Sequence, residues 1–156
     1  MQEQFQRPRL LINRKKPIVT YTLAILNVVA YLADLLTEQL WGYPLLTLWG
    51  AKINALIFYG QWWRLVTPMF LHGSLSHILF NVFALVIWGQ HLESLLGKAR
   101  YLLVYFAAGV LGCSASYAFS ETMSVGASGA IFGLFGALLF FRRQYKELFN
   151  LVFGVQ

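Results

Sequence analysis

The stretch Val125 to Ala137, VGASGAIFGLFGA, places Ser128 between Gly126 and Gly129 at the start of an apolar segment. Small residues then recur at every fourth position: Gly129, Gly133 and Ala137. Such a stripe lets a neighbouring helix backbone approach closely in a membrane. A serine in the first turn of a helix also lies beside N–H groups that have no intrahelical partner, and such donors stabilise an oxyanion. The stretch predicts a close-packing helix that carries a candidate nucleophile; a packing helix with an incidental serine is the alternative.

The composition is that of a membrane protein. Apolar residues make up 58% of the 156 residues and charged residues 12%, against about 25% charged in a typical soluble domain. Ten of the twelve Lys and Arg residues fall in segments 1–17, 93–100 and 142–146. This clustering is typical of cytoplasmic loops rather than of a nucleic-acid surface. Cys113, the only cysteine, lies in an apolar run and is interpreted as a packing residue.

Four apolar segments predict an all-α, polytopic helical bundle. Their bounds are about 18–36, 75–92, 101–119 and 126–141. The last ten residues become apolar again and are interpreted as the start of a fifth span. Residues 1–17 form a basic arm, and residues 18–156 form one transmembrane domain that we expect to be incomplete at its C-terminus. The basic segments place the N-terminus in the cytoplasm, and we expect an integral protein of the plasma or inner membrane.

Residues 37–73 connect the first two spans and carry four of the five tryptophans. Tryptophan and tyrosine favour the membrane–water interface, so we expect this loop to lie in that interface and to contain short helices. Arg64 follows a pair of tryptophans in the loop. Its guanidinium is expected either to hydrogen-bond carbonyls or a carboxylate of the loop, or to contact lipid headgroups.

Three polar residues mark the start of the second span. His77 and Asn81 are four residues apart and project from one helix face, and His72 lies just before the span. Such residues are costly in lipid and indicate a functional site, although a His–Asn pair also joins helices in membranes. In the predicted topology His77, Asn81 and Ser128 reach one depth near the outer surface. This shared depth favours a functional site.

Together these motifs resemble those of the rhomboid intramembrane serine proteases. The residues that carry the resemblance are Gly126-Ala127-Ser128-Gly129, His72, His77 and Asn81, Trp63-Arg64, the run 60–81, and the stretch Gly89 to Gly97 with Glu93 inside it. The resemblance covers about residues 18–145. It implies a rhomboid-like bundle that cleaves membrane-anchored proteins near the outer face of the lipid bilayer.

The resemblance also implies a role for each site residue. Ser128 is the nucleophile, and its N–H forms the oxyanion hole together with the side chains of His77 and Asn81. Three supporting roles are implied as well. His72 shapes and hydrates the cavity, and Gly126 and Gly129 allow close backbone approach around the serine. Trp63 and Arg64 stabilise residues 37–73, which we call the first loop. The expected partners are transmembrane protein substrates and lipid. No nucleic acid, metal or organic cofactor is implied, and two histidines are too few ligands for a zinc site.

The general base is the main departure from the family. A serine hydroxyl needs a base to attack a carbonyl, and the resemblance places that histidine on a sixth span. No histidine follows Ser128 here. We therefore expect a truncated chain that hydrolyses nothing efficiently by itself, from a parent protein with a Ser–His dyad. The alternatives are an inactive rhomboid-like pseudoprotease that binds transmembrane helices, and an unrelated channel or transporter half.

Overall fold

The computed structural model describes residues 16–153, which are mostly helical and contain no β-strand in that range. The helices are α1 (Ile18–Trp41), α2 (Leu45–Gly50), α3 (Asn54–Phe58), α4 (Leu75–Ala84), α5 (Gln90–Leu96), α6 (Lys98–Phe119), α7 (Ser128–Gln144) and α8 (Lys146–Phe153). Two 3-10 turns, Trp62–Leu65 and Thr67–Phe70, precede α4. The basic arm predicted for residues 1–17 lies outside the described residues apart from Lys16 and Pro17, as do residues 154–156.

Three helical stretches are long and apolar enough to cross a membrane: Ile18–Trp41, Leu75–Leu96 and Lys98–Phe119. The second consists of α4 and α5, joined through a π-helical turn at Leu85–Gly89. The next helix, α7, has 17 residues and is therefore about 25 Å long. The predicted all-α membrane bundle is confirmed, whereas four spans and the start of a fifth remain a prediction.

The long helices extend further than the sequence indicated. α1 does not end near residue 36 but continues to Trp41, where Gly42 adopts φ +82° and donates its N–H to the carbonyl of Glu38 (2.8 Å). The polar turn predicted at 93–100 is helical except at Gly97, where φ is +76°. α1 ends at Gly42 and α5 ends at Gly97, because a positive φ costs glycine little. The polar side chains near these ends do not interrupt the helices.

The helices α6 and α7 pack closely through small residues. An added Cβ at Gly112 would lie 3.4 Å from the Cα of Gly129, and one at Gly133 would overlap the Cβ of Ala108. The close-packing face predicted from Gly129 and Gly133 is thus confirmed. Buried apolar side chains of the long helices complete the core: Leu23, Leu85, Leu92, Tyr101, Tyr105, Ile131 and Leu134.

Two buried carboxylates cap the first turns of helices. Glu93 accepts hydrogen bonds from the N–H groups of Val19 (3.1 Å) and Thr20 (2.8 Å) and from the Thr20 hydroxyl (2.8 Å) at the start of α1. Asp34 accepts from the N–H of Leu46 at the start of α2 (2.7 Å). The first N–H groups of a helix have no internal partner and carry its positive dipole end. The carboxylates therefore supply acceptors for N–H groups that burial keeps away from water.

Replacing Glu93 by alanine tests this arrangement. We expect Glu93→Ala to lower the free energy of unfolding by about 2–4 kcal/mol, because buried N–H groups lose their acceptor. The matched control is Glu147→Ala, which removes an exposed carboxylate and should change stability by less than about 0.5 kcal/mol. Reversible unfolding in detergent micelles measures both variants, and equal stability of the two would contradict the capping role.

Candidate active site

Ser128 is the first residue of α7, and its side chain is exposed. The first intrahelical bond at this end of α7 runs from the N–H of Ile131 to the carbonyl of Ala127 (3.0 Å). The N–H groups of residues 128–130 therefore have no acceptor within the helix and lie at the positive end of its dipole. The hydroxyl and these backbone donors lie side by side.

The side chains of His77 and Asn81 line one cavity together with Ser128, and its volume is about 350 Å³. Asn81 is 7% exposed and donates one amide proton to the carbonyl of His77 (2.9 Å). Because an amide group carries two protons, the second can serve another acceptor. The remaining lining is apolar: Phe80, Phe83, Ala84, Ile87, Trp88, Ile131 and Phe132. The structure thus brings together the three residues that were predicted to share one depth.

Gly126 lies directly against the ring of His77. Its φ is +124°, and an added Cβ would come 2.6 Å from His77 Nε2. Its N–H donates to the carbonyl of Pro68 (2.8 Å), which fixes the backbone at this distance. Both the backbone conformation and the available space therefore require glycine at this position.

His72 is buried in the loop before α4, beside His77. The two ring centroids are 5.0 Å apart and the planes are inclined by 67°. Neither ring nitrogen of His72 has a hydrogen-bond partner among the described residues. Burial, and after it the nearby charge of His77, lower the pKa of His72 to about 4. The neutral ring keeps a donor and an acceptor with which it can hold ordered water.

A second cavity, of about 200 Å³, opens beside Ser128 between α6 and α7. Its polar and thiol-bearing lining residues are Cys113, Ser116, Ser124 and Ser128. Gly109, Gly112 and Gly129 also line this cavity. Ser128 therefore borders both cavities. Within residues 16–153, no three His, Cys, Asp or Glu side chains are grouped so that they could hold a metal ion.

The segment that contains Trp63 and Arg64 caps the carbonyls at the end of α2. Arg64, 2% exposed, donates to the carbonyls of Leu48 (2.8 Å) and Ala51 (2.7 Å). The two carbonyls between them accept from Trp63 Nε1 (3.0 Å) and Thr67 Oγ1 (2.6 Å). A planar guanidinium suits such paired acceptors. Of the two roles considered for Arg64, the structure shows the bond to loop carbonyls, and its burial excludes the headgroup contact.

Sequence reasoning missed Lys52 and Asn54. Both lie in the first loop and bind the end of α6 and the loop that follows it. A lysine within an apolar, aromatic-rich loop was the only available signal, because a buried charge needs a specific partner. The identity of that partner, about 70 residues away in the chain, was not visible in the sequence.

Comparison with known proteins gives a direct family assignment. Residues 59–155 match the family model of the Rhomboid domain. The chain belongs to the rhomboid family. This rhomboid is 38% identical to the rhomboid protease GluP of Bacillus subtilis (strain 168) over 153 residues, which are 98% of the chain and 30% of GluP. It is 39% identical to the putative rhomboid protease YdcA of the same strain over 140 residues, 86% of the chain and 67% of YdcA.

A further relative is the rhomboid protease AarA of Providencia stuartii, 30% identical over 172 residues. The alignment covers 86% of the present rhomboid and 60% of AarA. The chain thus spans less than a third of GluP, two thirds of YdcA and 60% of AarA. Family membership and the apolar helices together identify an integral membrane protein.

The fit between Gly126 and His77 is testable without any reaction. We expect Gly126→Ala to lower the free energy of unfolding by about 1–3 kcal/mol, because the new methyl group strains the backbone and displaces the ring. The ring resonances of His77 should shift as well. Gly73→Ala is the matched control, since the nearest atom to its added Cβ is 3.9 Å away. Unchanged His77 resonances in Gly126→Ala would show that the two residues are not in contact.

Proposed function

We propose that this rhomboid is the nucleophile-bearing part of an intramembrane serine endopeptidase. Ser128 is the nucleophile, and the oxyanion hole consists of its N–H and the side chains of His77 and Asn81. The observation that carries this proposal is the cavity that these three residues share at the start of α7. Unpaired donors beside a hydroxyl suit acyl transfer, since they bind the negative charge that develops on the attacked carbonyl oxygen.

In the proposed reaction the Ser128 oxygen attacks the carbonyl carbon of a peptide bond while a base removes the hydroxyl proton. The tetrahedral oxyanion then collapses, the C–N bond breaks, and the base returns its proton to the leaving amine. Water then attacks the ester formed on Ser128, which releases the carboxylic acid and restores the hydroxyl. All three histidines of the chain precede Ser128, and the resemblance gives His72 and His77 other roles. The proposal therefore assigns the base to a histidine outside these 156 residues, as in the Ser–His dyad of the family.

The proposed substrates are transmembrane proteins that reach the site from the lipid. We propose four spans with the N-terminus in the cytoplasm, because ten of the twelve basic residues then share one side. In that arrangement Ser128 lies in the outer half of the membrane, and residues 18–156 form one domain in which α8 begins a fifth span. The shared cavity is lined mainly by apolar side chains, which suits an unwound segment of a transmembrane helix.

A fluorophosphonate probe tests the role of Ser128. We expect it to label the chain when natural residues beyond Gln156 are present, and to label the 156-residue chain at least about 100-fold more slowly, because a general base is worth about 10²–10⁴ in rate. Ser128→Ala should abolish labelling. Ser76→Ala, which removes another exposed serine hydroxyl, should leave it unchanged.

Each outcome separates the candidate functions. Equal labelling of the short and extended chains would show that His72, His77 or another group within these residues acts as the base. No labelling of either folded chain would contradict the endopeptidase and favour the pseudoprotease that binds transmembrane helices.

A further inference from the structure

Lys52 is a fully buried cation between α2 and α3. Its ammonium donates to the carbonyls of Ser120 and Thr122, just beyond the end of α6. Because the C-terminal end of a helix carries the negative end of its dipole, this is a favourable place for a buried positive charge. On its other side, the carbonyl of Ala51 is held by Arg64 (2.7 Å). Lys52 therefore connects the first loop to the C-terminal end of α6.

The residues around this ammonium strengthen the connection. Lys52 and Ser124 exchange backbone hydrogen bonds of 3.0 and 3.2 Å in an isolated antiparallel bridge. The amide of Asn54 donates to the carbonyls of Tyr117 (3.0 Å) and Ser120 (3.1 Å). The carbonyls at the end of α6, which have no partner within the helix, thus find donors in the first loop.

The loop held in this way leads directly into Ser128. Three residues separate Ser124 from Ser128, and among them Gly126 lies against His77 and donates to the carbonyl of Pro68 (2.8 Å). A change in the path of this short segment would move the hydroxyl relative to the cavity. Misplacement of a reacting group by about 1 Å costs about 100-fold in rate, so the attachment bears on reactivity.

We propose that Lys52 is a positioning residue: by binding the two carbonyls beyond α6, it fixes the loop 120–127 and holds Ser128 at the cavity of His77. The inference rests on the proposed role of Ser128 as nucleophile. Burying a charge costs free energy, and a neutral side chain of similar volume would fill the same space without that cost. Packing alone therefore does not explain a lysine at this position, whereas a role in fixing the loop does.

Lys52→Met keeps the length of the side chain and removes its charge. In the chain with any natural residues beyond Gln156, we expect kinact, the limiting rate constant of inactivation by the fluorophosphonate, to fall about ten-fold or more. A ten-fold loss corresponds to about one charge-assisted hydrogen bond. The dissociation constant KI of the probe should change less than about two-fold, because Lys52 does not line the cavity of His77.

The control is Thr20→Val, which removes a hydrogen bond to Glu93. With each variant measured at the same interval below its own Tm, Thr20→Val should keep kinact.

A second readout does not depend on any reaction. The N–H groups of Ser124 and Gly126 are hydrogen-bonded to the first loop, so their hydrogen exchange reports how firmly the segment is held. We expect exchange to become about ten-fold faster or more in Lys52→Met and to stay unchanged in Thr20→Val. If Lys52→Met does not fold, Asn54→Ala removes two bonds of the same attachment and is measured in the same way.

The outcomes distinguish this inference from the proposed function. Unchanged exchange in Lys52→Met, or a kinact no lower than that of Thr20→Val, overturns the positioning role. If the folded wild-type protein does not react at all, the role of Ser128 fails. In that case faster exchange still supports the attachment of the loop by Lys52, and unchanged exchange overturns it.

Discussion

Helix ends that are buried within a protein have no water to bind, so the chain itself must supply partners for their unpaired N–H and carbonyl groups. In this rhomboid, charged side chains supply many of them. Those that the structure describes as buried are Asp34, Lys52, Arg64 and Glu93. The two carboxylates bind N–H groups where helices begin, and the two cations bind carbonyls where helices end. Each charge thus meets the helix end of opposite dipole, which makes that end a fixed attachment for a distant segment.

These attachments form a continuous path toward the candidate nucleophile. The short helix α2 is fastened to α1 through Asp34 at its start and is capped by Arg64 at its end. Lys52 follows directly and binds the loop that leads into Ser128. A surface loop without such attachments would be mobile. Here the first loop is hydrogen-bonded to the segment that leads into the serine.

The sequence predicted the local features of this structure and few of its distant contacts. The spacing of Gly129 and Gly133 revealed the packing face because a helix repeats every 3.6 residues. The sequence predicted that His77, Asn81 and Ser128 lie at one depth, from apolar lengths and the distribution of basic residues, and the structure places the three residues on one cavity. The ends of the helices were less predictable. The polar composition of residues 93–100 indicated a turn, but only Gly97 interrupts the helices there.

The partners of the buried charges were not predictable by the same means. Glu93 binds Thr20 across about 70 residues of chain, and Lys52 binds Thr122 across a similar separation. Periodicity fixes which face of a helix is apolar, but it carries no information about which distant backbone group lies opposite a polar side chain. Burial of Arg64 was likewise invisible, and only the fold decides between a loop carbonyl and a lipid headgroup as its acceptor.

The most direct test of this account is an experimental structure of the phosphonate adduct of this chain, together with any natural residues beyond Gln156. The account predicts a covalent bond from the oxygen of Ser128 to phosphorus, with the phosphoryl oxygen about 3 Å from the N–H of Ser128 and from the side chains of His77 and Asn81. A phosphoryl oxygen that points away from these three donors, or an adduct on another residue, would contradict it.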